Sequence, residues 1–175
     1  MKKSLLCIIT ILLFYPALAM AREVLERAQI TAIPAPLNVA LTRPADETRW
    51  LLKLKSCPTL QAGQTIGLGG RGALNGYQDY LDLGLSRRCE IVKAFPFNEA
   101  LTVNSTNRDR AVVTDEKDKT YDLFHDGRCG DLLNWVNQTI YADRAGPVLA
   151  KGARLFVPGE PKACAITFLE KVMWG

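Results

Sequence analysis

The stretch RWLLKLKSCPTL, residues 49–60, decides the fold, because it returns in outline as TYDLFHDGRCGDL at residues 120–132. In each stretch an aromatic residue, Trp50 or Tyr121, stands seven or eight positions before a cysteine, and a leucine stands three positions after it. A Gln-Thr-Ile tripeptide then follows in both cases. Ordered landmarks at nearly equal spacing indicate an internal repeat, so we interpret the chain as two copies of one unit.

Each copy ends on a second cysteine that is followed two residues later by isoleucine, at Cys89 and at Cys164. Four cysteines allow three disulfide pairings, and their spacing alone does not choose among them. The repeat chooses one pairing, because equivalent cysteines should occupy equivalent places in the two copies. We therefore predict the disulfides Cys57–Cys89 and Cys129–Cys164, each stabilising the fold by roughly 3–4 kcal/mol.

The N-terminus has the three-part build of a secretory signal peptide. Lys2 and Lys3 precede an almost continuous apolar run over residues 5–15, and small residues follow around Ala19 and Ala21. The run is about half of the ~20 apolar residues that a membrane-spanning helix needs. We expect a leader over 1–21, cleaved after Ala19 or Ala21, and a mature protein in the periplasm or outside the cell without a transmembrane anchor.

The pattern of the mature chain predicts an all-β or β-dominated fold, a tandem duplication of a small disulfide-closed β unit. Apolar and polar residues alternate over 50–55 and 81–85, which is typical of strands with one buried face. Residues 131–137 permit one short helix. The first repeat is expected over 22–95 and the second over 96–175, as two small domains or as one fused domain.

Charge and the glycine-rich segment exclude two classes of ligand. The net charge is +4, two charges belong to the leader, and the other basic residues are interleaved with acids, so nucleic-acid binding is not expected. Gly67 to Gly72 matches the dinucleotide pattern Gly-x-Gly-x-x-Gly. That pattern requires a following helix, and Asn75-Gly76 disfavours one. We predict a flexible loop between strands there, and no cofactor.

The remaining chemistry-bearing residues do not form a predicted catalytic or metal site. His125 is the only histidine. With the cysteines oxidised it lacks the partners that a zinc site needs, so we interpret it as an exposed or hydrogen-bonded loop histidine. Carboxylate groups, which glycoside hydrolases use, are interpreted as the wet face of a strand and a solvated turn. They are Asp79 with Asp82, and Asp115 with Glu116 and Asp118.

Loops that differ between the copies are the predicted interaction surface, since binding residues concentrate on loops. Its candidate residues are Arg71, Tyr77, Tyr141 and Arg144.

The repeated order of apolar strand, Cys-x-x-Leu, polar or glycine-rich gap, second apolar strand and Cys-x-Ile resembles uncharacterised bacterial periplasmic proteins and lipoproteins that carry one such unit. The resemblance implies a β-rich fold and an envelope location, and it supplies no functional residue. This chain departs from it by having two units and no lipid-attachment cysteine.

We therefore expect a non-enzymatic binding or accessory module that interacts with another envelope macromolecule, such as a component of a secretion or surface apparatus or an inhibitor or immunity-type protein. A small periplasmic hydrolase using loop carboxylates and a carrier of a small apolar ligand are the alternatives. A cleft with two suitably spaced carboxylates would favour the hydrolase, and a large internal apolar cavity would favour the carrier.

Expression with the leader in a bacterial host should give an envelope protein that begins at Met20 or Arg22. N-terminal sequencing checks this, because the signal peptidase cleaves after a small residue. Retention of residues 1–21 on the exported protein would contradict the leader assignment.

Overall fold

The computed structural model describes residues 25–74, 78–130, 132–143, 149–160 and 162–172, and for residues 71–74 and 78 the backbone alone. The described residues form antiparallel strands that close into two six-stranded barrels. The strands of the first barrel are β1 (Glu26–Ala35), β2 (Asn38–Thr42), β3 (Arg49–Leu54), β4 (Thr65–Leu74), β5 (Gln78–Asp82) and β6 (Arg88–Phe97). Those of the second are β7 (Glu99–Asn107), β8 (Arg110–Asp115), β9 (Thr120–His125), β10 (Thr139–Ala142), β11 (Arg154–Phe156) and β12 (Cys164–Lys171). The predicted leader lies outside the described residues.

The two barrels have the same topology. The first closes in the order β1-β2-β3-β6-β5-β4, and the second in the corresponding order β7-β8-β9-β12-β11-β10. The registers also correspond, since Leu81 pairs with Cys89 in one barrel and Leu155 with Cys164 in the other. The tandem duplication predicted from the sequence is confirmed.

Both predicted disulfides are present, one in each barrel. Cys57 is bonded to Cys89 and Cys129 to Cys164. Each bond ties the loop after the third strand of its barrel to the start of the sixth. Because the bonds stay within a copy, each barrel is closed covalently as well as by its hydrogen-bonded ladder.

The turn before the fourth strand shows how closely the backbones match. Gly63 and Asn137 both have positive φ angles, of 84° and 64°. Their amides donate to the carbonyls of Ile30 and Val103, the equivalent residues of the first strands, at 2.7 Å in both barrels. Glycine and asparagine are the residues that adopt this left-handed conformation most readily. The two copies therefore form the same turn with different residues.

Each barrel is filled by the inward-facing residues of its strands. Leu52 and its counterpart Leu123 are fully buried at the middle of the third strands. Alternation along each strand puts one set of side chains inside, and closure leaves no unpaired sheet edge. The barrel interiors are therefore packed cores.

A third apolar cluster joins the barrels. Phe95 of β6 stacks on Phe156 of β11 with ring centroids 4.8 Å apart. Phe97 meets the edge of Tyr141 of β10 at 4.6 Å. We call these four rings the aromatic contact. It packs the β2-β3-β6 face of the first barrel against the β7-β10-β11 face of the second.

The equivalent face of the second barrel points outward and has charged residues at two matched positions. Ladder register makes Asp122 the counterpart of Leu51, and Glu170 the counterpart of Phe95. Asp122 is bound by the guanidinium of Arg110. This face therefore carries a charged pair where the joined face has apolar residues, while Phe124 and Phe168 also lie on it.

The outward face of the first barrel also differs from the joined face at the matched positions. Register makes Gly67 the counterpart of Tyr141, and Asp82 the counterpart of Phe156. A third barrel on either side would meet a carboxylate where the existing contact has an aromatic ring.

Two local expectations are corrected. Gly67 to Gly72 lies within strand β4 and is not a flexible loop. The glycines allow close packing of β4 on β5, since a Cβ at Gly69 would stand 2.5 Å from the Tyr80 ring. The short helix permitted over 131–137 is a single 3-10 turn, Leu132–Trp135. Among the described residues no helix has the length and apolar character needed to cross a bilayer.

The aromatic contact predicts a large difference between two Phe→Ala substitutions. Phe156→Ala removes a buried ring from the aromatic contact and should lower the free energy of unfolding by about 3–5 kcal/mol. Phe168→Ala, at a ring that is 49% exposed on the outer face, should cost about 1 kcal/mol or less. Urea denaturation measures both, and equal losses would contradict the stabilising role of the contact.

Candidate functional site

The disulfide-bearing end of the first barrel carries a groove of about 320 Å³ between the β1–β2 turn and the loop after β3. Its lining is almost entirely apolar, and we call it the apolar groove. It is formed by Ile33, Pro36, Leu37, Val39, Leu54, Cys57, Pro58, Thr59 and Leu60. The Cys57–Cys89 disulfide holds one wall of the groove in place.

Leu37 lies at the mouth of the apolar groove and has a backbone conformation that is unfavourable for a leucine. Its φ is 58°, in the left-handed region, which costs a residue with a Cβ about 1–2 kcal/mol. Its carbonyl accepts the Leu54 amide at 2.8 Å, which fixes the turn. The side chain nevertheless remains 41% exposed. The strained leucine therefore leaves apolar surface in water beside Ile33, which is exposed to a similar degree.

The equivalent groove of the second barrel has polar residues at two matched positions. The His125 amide donates to the Asp109 carbonyl at 2.8 Å, just as Leu54 donates to Leu37, so His125 and Asp109 replace two leucines. The groove has a volume of about 670 Å³ and is bordered by the β7–β8 turn, with Arg108 at positive φ, and by Leu133 after β9. The two copies therefore keep the concavity and differ in its chemistry.

His125 lies at the end of β9 and is 3% exposed, so it is hydrogen-bonded as predicted but not exposed. The Gly127 amide donates to its Nδ1 at 3.1 Å, so the neutral ring carries its proton on Nε2. Nε2 is buried and has no hydrogen-bond partner among the described residues. The Arg108 backbone lies close enough to the ring to favour its protonated form, against the effect of burial.

The surroundings of His125 favour the neutral imidazole. Burial lowers the pKa of His125 below its ordinary value, and the Asp109 and Asp126 carboxylates oppose that shift without cancelling it. A buried neutral ring that replaces a core leucine is a packing element of the barrel end. It has no proton-transfer partner in hydrogen-bond contact among the described residues.

The ligand atoms of His125, Cys129 and Cys164 lie within 4.8 Å of one another. Both sulfur atoms are joined in the disulfide, which leaves the imidazole as the one free donor of the three. Zinc sites use three or four protein ligands. The donor set therefore does not fit a metal ion while the disulfide is closed.

Asp115 of the predicted acidic turn is occupied by hydrogen bonds. It accepts from the amides of Lys117 and Lys119 at 2.8 and 2.9 Å, and from the Tyr121 hydroxyl at 3.2 Å. Burial raises the pKa of Asp115, but these hydrogen bonds outweigh it and hold the pKa below its usual value. A general acid needs the opposite shift.

Glu116 is held in a two-point contact with a side chain of the other barrel. Its carboxylate oxygens accept from the Arg49 guanidinium at 2.6 and 2.7 Å. Asp82 accepts the Gly84 amide at 2.7 Å, as a turn-forming carboxylate does. Asp82 fits the interpretation from the sequence, whereas Asp115 is buried and Glu116 joins the two barrels, so neither is only a solvated turn carboxylate.

The predicted interaction surface is partly corrected. Tyr77 and Arg144 lie outside the described residues, and Arg71 is described by its backbone in β4 alone. Tyr141 is 2% exposed and belongs to the aromatic contact, so it is not a surface residue. It has no aromatic counterpart in the first copy because its equivalent there, Gly67, faces outward rather than a second barrel.

Sequence reasoning missed the apolar groove. The signal that was available is Pro36-Leu37, a proline followed by an apolar residue at the tip of a short hairpin, where turns normally carry glycine or a polar residue. Fold and site together define the protein as a tandem double β-barrel with one disulfide per barrel and a groove at the same end of each. Known protein families, curated proteins and solved structures yield no match to this chain.

The lowered pKa of His125 predicts a pH-dependent part of the stability. The unfolded imidazole takes up a proton near pH 6.5 and the folded one only at lower pH, so protonation favours unfolding. This stabilisation is present above about pH 6.5 and is lost as the pH falls through the folded pKa.

His125→Leu, which copies Leu54 of the first barrel, should therefore lose less stability than the wild type between about pH 7.5 and about pH 5. Urea midpoints at the two pH values measure this. Leu54→His is the reciprocal control and should introduce the pH dependence. Identical pH dependence in the wild type and His125→Leu would show that the buried ring does not contribute.

Proposed function

We propose that the protein is an exported, non-enzymatic binding module that receives an apolar segment of another envelope protein in the apolar groove. The observation that carries this proposal is Leu37, an exposed leucine held at positive φ. The conformation is unfavourable, and the side chain gains little burial in return. Strain of this kind is concentrated at functional sites, where the surrounding structure holds it.

The shape and rigidity of the apolar groove support a protein partner. Ile33 and Leu37 form an exposed rim, and Leu54 and Val39 form a buried floor, so an inserted side chain would be enclosed on several sides. Burial of apolar area contributes about 25 cal/mol per Å². Because the disulfide and the ladder fix both walls, little conformational entropy is lost on binding.

The alternatives draw less support from the described residues. A hydrolase would need a carboxyl group kept protonated near neutral pH, whereas the pKa of Asp115 is lowered and Glu116 is bound to Arg49. A carrier of an apolar ligand would need space inside a barrel, whereas leucine and isoleucine side chains fill both interiors.

A photo-reactive amino acid at position 37 should cross-link to a single envelope protein in cells of the source organism, because the side chain at that position would enter the interface. The same amino acid at Asp109, the matched position of the second barrel, is the control and should not. Mass spectrometry of the adducts identifies the partner. Equal labelling from both positions, or none from position 37, would contradict the proposal.

With the identified partner purified, Leu37→Asp should weaken binding at least about ten-fold, since a carboxylate would be buried in an apolar contact. Leu85→Asp is the matched control, because Leu85 is a 92% exposed leucine with positive φ in a different turn. Isothermal titration calorimetry measures both affinities. An unchanged affinity of Leu37→Asp would place the interface elsewhere.

A further inference from the structure

The contact between the barrels encloses a second concavity, of about 300 Å³, which we call the inter-barrel cleft. Thr31, Arg49 and Phe97 line it from the first barrel, and Thr102, Thr139 and Tyr141 line it from the second. Neither copy could form the cleft alone. Clefts between domains are frequent sites of small-ligand binding, and this volume lies at the small end of their range.

The Tyr141 hydroxyl is an unpaired polar group at this cleft. Only 2% of the Tyr141 residue is exposed to solvent, and its ring packs against Phe97. The hydroxyl makes no hydrogen bond with the described residues and is open to the cleft, so it is available to a ligand there. Burial raises the pKa of Tyr141 to about 12, with Arg49 opposing the shift, so the phenol keeps its proton at neutral pH. It can both donate to a ligand and accept from one.

The other polar groups of the cleft are hydroxyls. Thr31 and Thr102 are exposed at its mouth and Thr139 is half-buried, and their side chains form no hydrogen bonds with the described residues. A hydroxyl can donate and accept in the same site. Four hydroxyls around one small space favour a ligand that also carries both functions.

The charges of the cleft disfavour an anion. Arg49 is engaged by both Glu116 oxygens and also donates to the Asn98 carbonyl at 3.0 Å. Asp115 also borders the cleft, but its carboxylate is held by the Lys117 and Lys119 amides and the Tyr121 hydroxyl. A carboxylate or phosphate would have to displace Glu116 from Arg49.

The floor of the cleft is apolar and shallow. Ala32, Ala40 and Ala100 contribute it with the ring of Phe97, and their small side chains create the space. A ligand that fits must therefore combine hydroxyl groups with an apolar face. The six-membered ring of a sugar has this combination, with hydroxyls at its rim and C–H bonds on its faces.

We propose that the inter-barrel cleft binds one neutral saccharide unit, with the Tyr141 hydroxyl as its innermost hydrogen-bonding group. The site occurs once among the described residues, because the counterpart of Tyr141 in the first copy is Gly67 on an outward face. The stoichiometry is one sugar per chain. This site is separate from the apolar groove, so the proposal stands or falls independently of the proposed function.

The full mature protein is titrated with each probe while its backbone amide signals are recorded by NMR. Glucose and N-acetylglucosamine are the neutral probes, and acetate is the anionic probe. A sugar should shift the amides of Thr102 and Thr139 saturably and with one site per chain. Tyr141→Phe keeps the ring and its contact with Phe97, so its urea midpoint should stay close to that of the wild type. The variant should bind the sugar about five-fold more weakly, because one hydrogen bond is lost.

Tyr80→Phe is the matched control, because Tyr80 is a tyrosine on the outer face of the first barrel, and its sugar affinity should be unchanged. Three results would overturn the proposal. They are the absence of saturable shifts at the cleft with either sugar, binding of acetate in preference to the sugars, and equal sugar affinity in the wild type and Tyr141→Phe.

Discussion

The packing of four aromatic rings between the barrels is the interaction on which the rest of the molecule depends. Phe95 on Phe156 and Phe97 on Tyr141 turn two small barrels into one body. The same contact brings Arg49 of one copy to Glu116 of the other and leaves a space beneath that ion pair. Aromatic pairs contribute large buried area together with a preferred geometry, so they fix the relative orientation of the barrels as well as their association.

The contact joins different faces of the two copies, and that asymmetry explains how equivalent positions diverged. A head-to-tail contact leaves one complementary face free at each end, and such contacts propagate unless the free faces are changed. Here Glu170 and Asp82 stand where the joined faces have Phe95 and Phe156. On the two free faces, charged residues thus occupy positions where the contact itself has rings.

At the disulfide-bearing ends, the two copies differ in the residues that border the grooves. Both barrels keep the same backbone bond from the end of the third strand to the first hairpin turn, and both keep a groove there. In one copy the residues at this place are Leu54 and Leu37, in the other His125 and Asp109. The backbone bond is kept, while the residues of the turn differ in polarity and in which of them has a positive φ. Each residue also provides the control substitution for its counterpart.

The sequence by itself determined the duplication, the β-dominated class and both disulfides, because each of these is written in local spacing: the period-two pattern around Trp50, the Cys-x-x-Leu and Cys-x-Ile landmarks, and their return. Tertiary structure alone decided which faces meet. Tyr141 looked like a loop residue and is buried, because its strand lies against the other barrel. The sequence predicts an exposed or hydrogen-bonded loop residue at His125; the residue is hydrogen-bonded and buried in the place of a core leucine, because barrel closure covers the strand end. The exposure of Leu37 and the cleft around Tyr141 depend on residues far apart in the chain. Local patterns contain no information about such contacts, since the same alternation fits a face toward water and a face toward a second barrel.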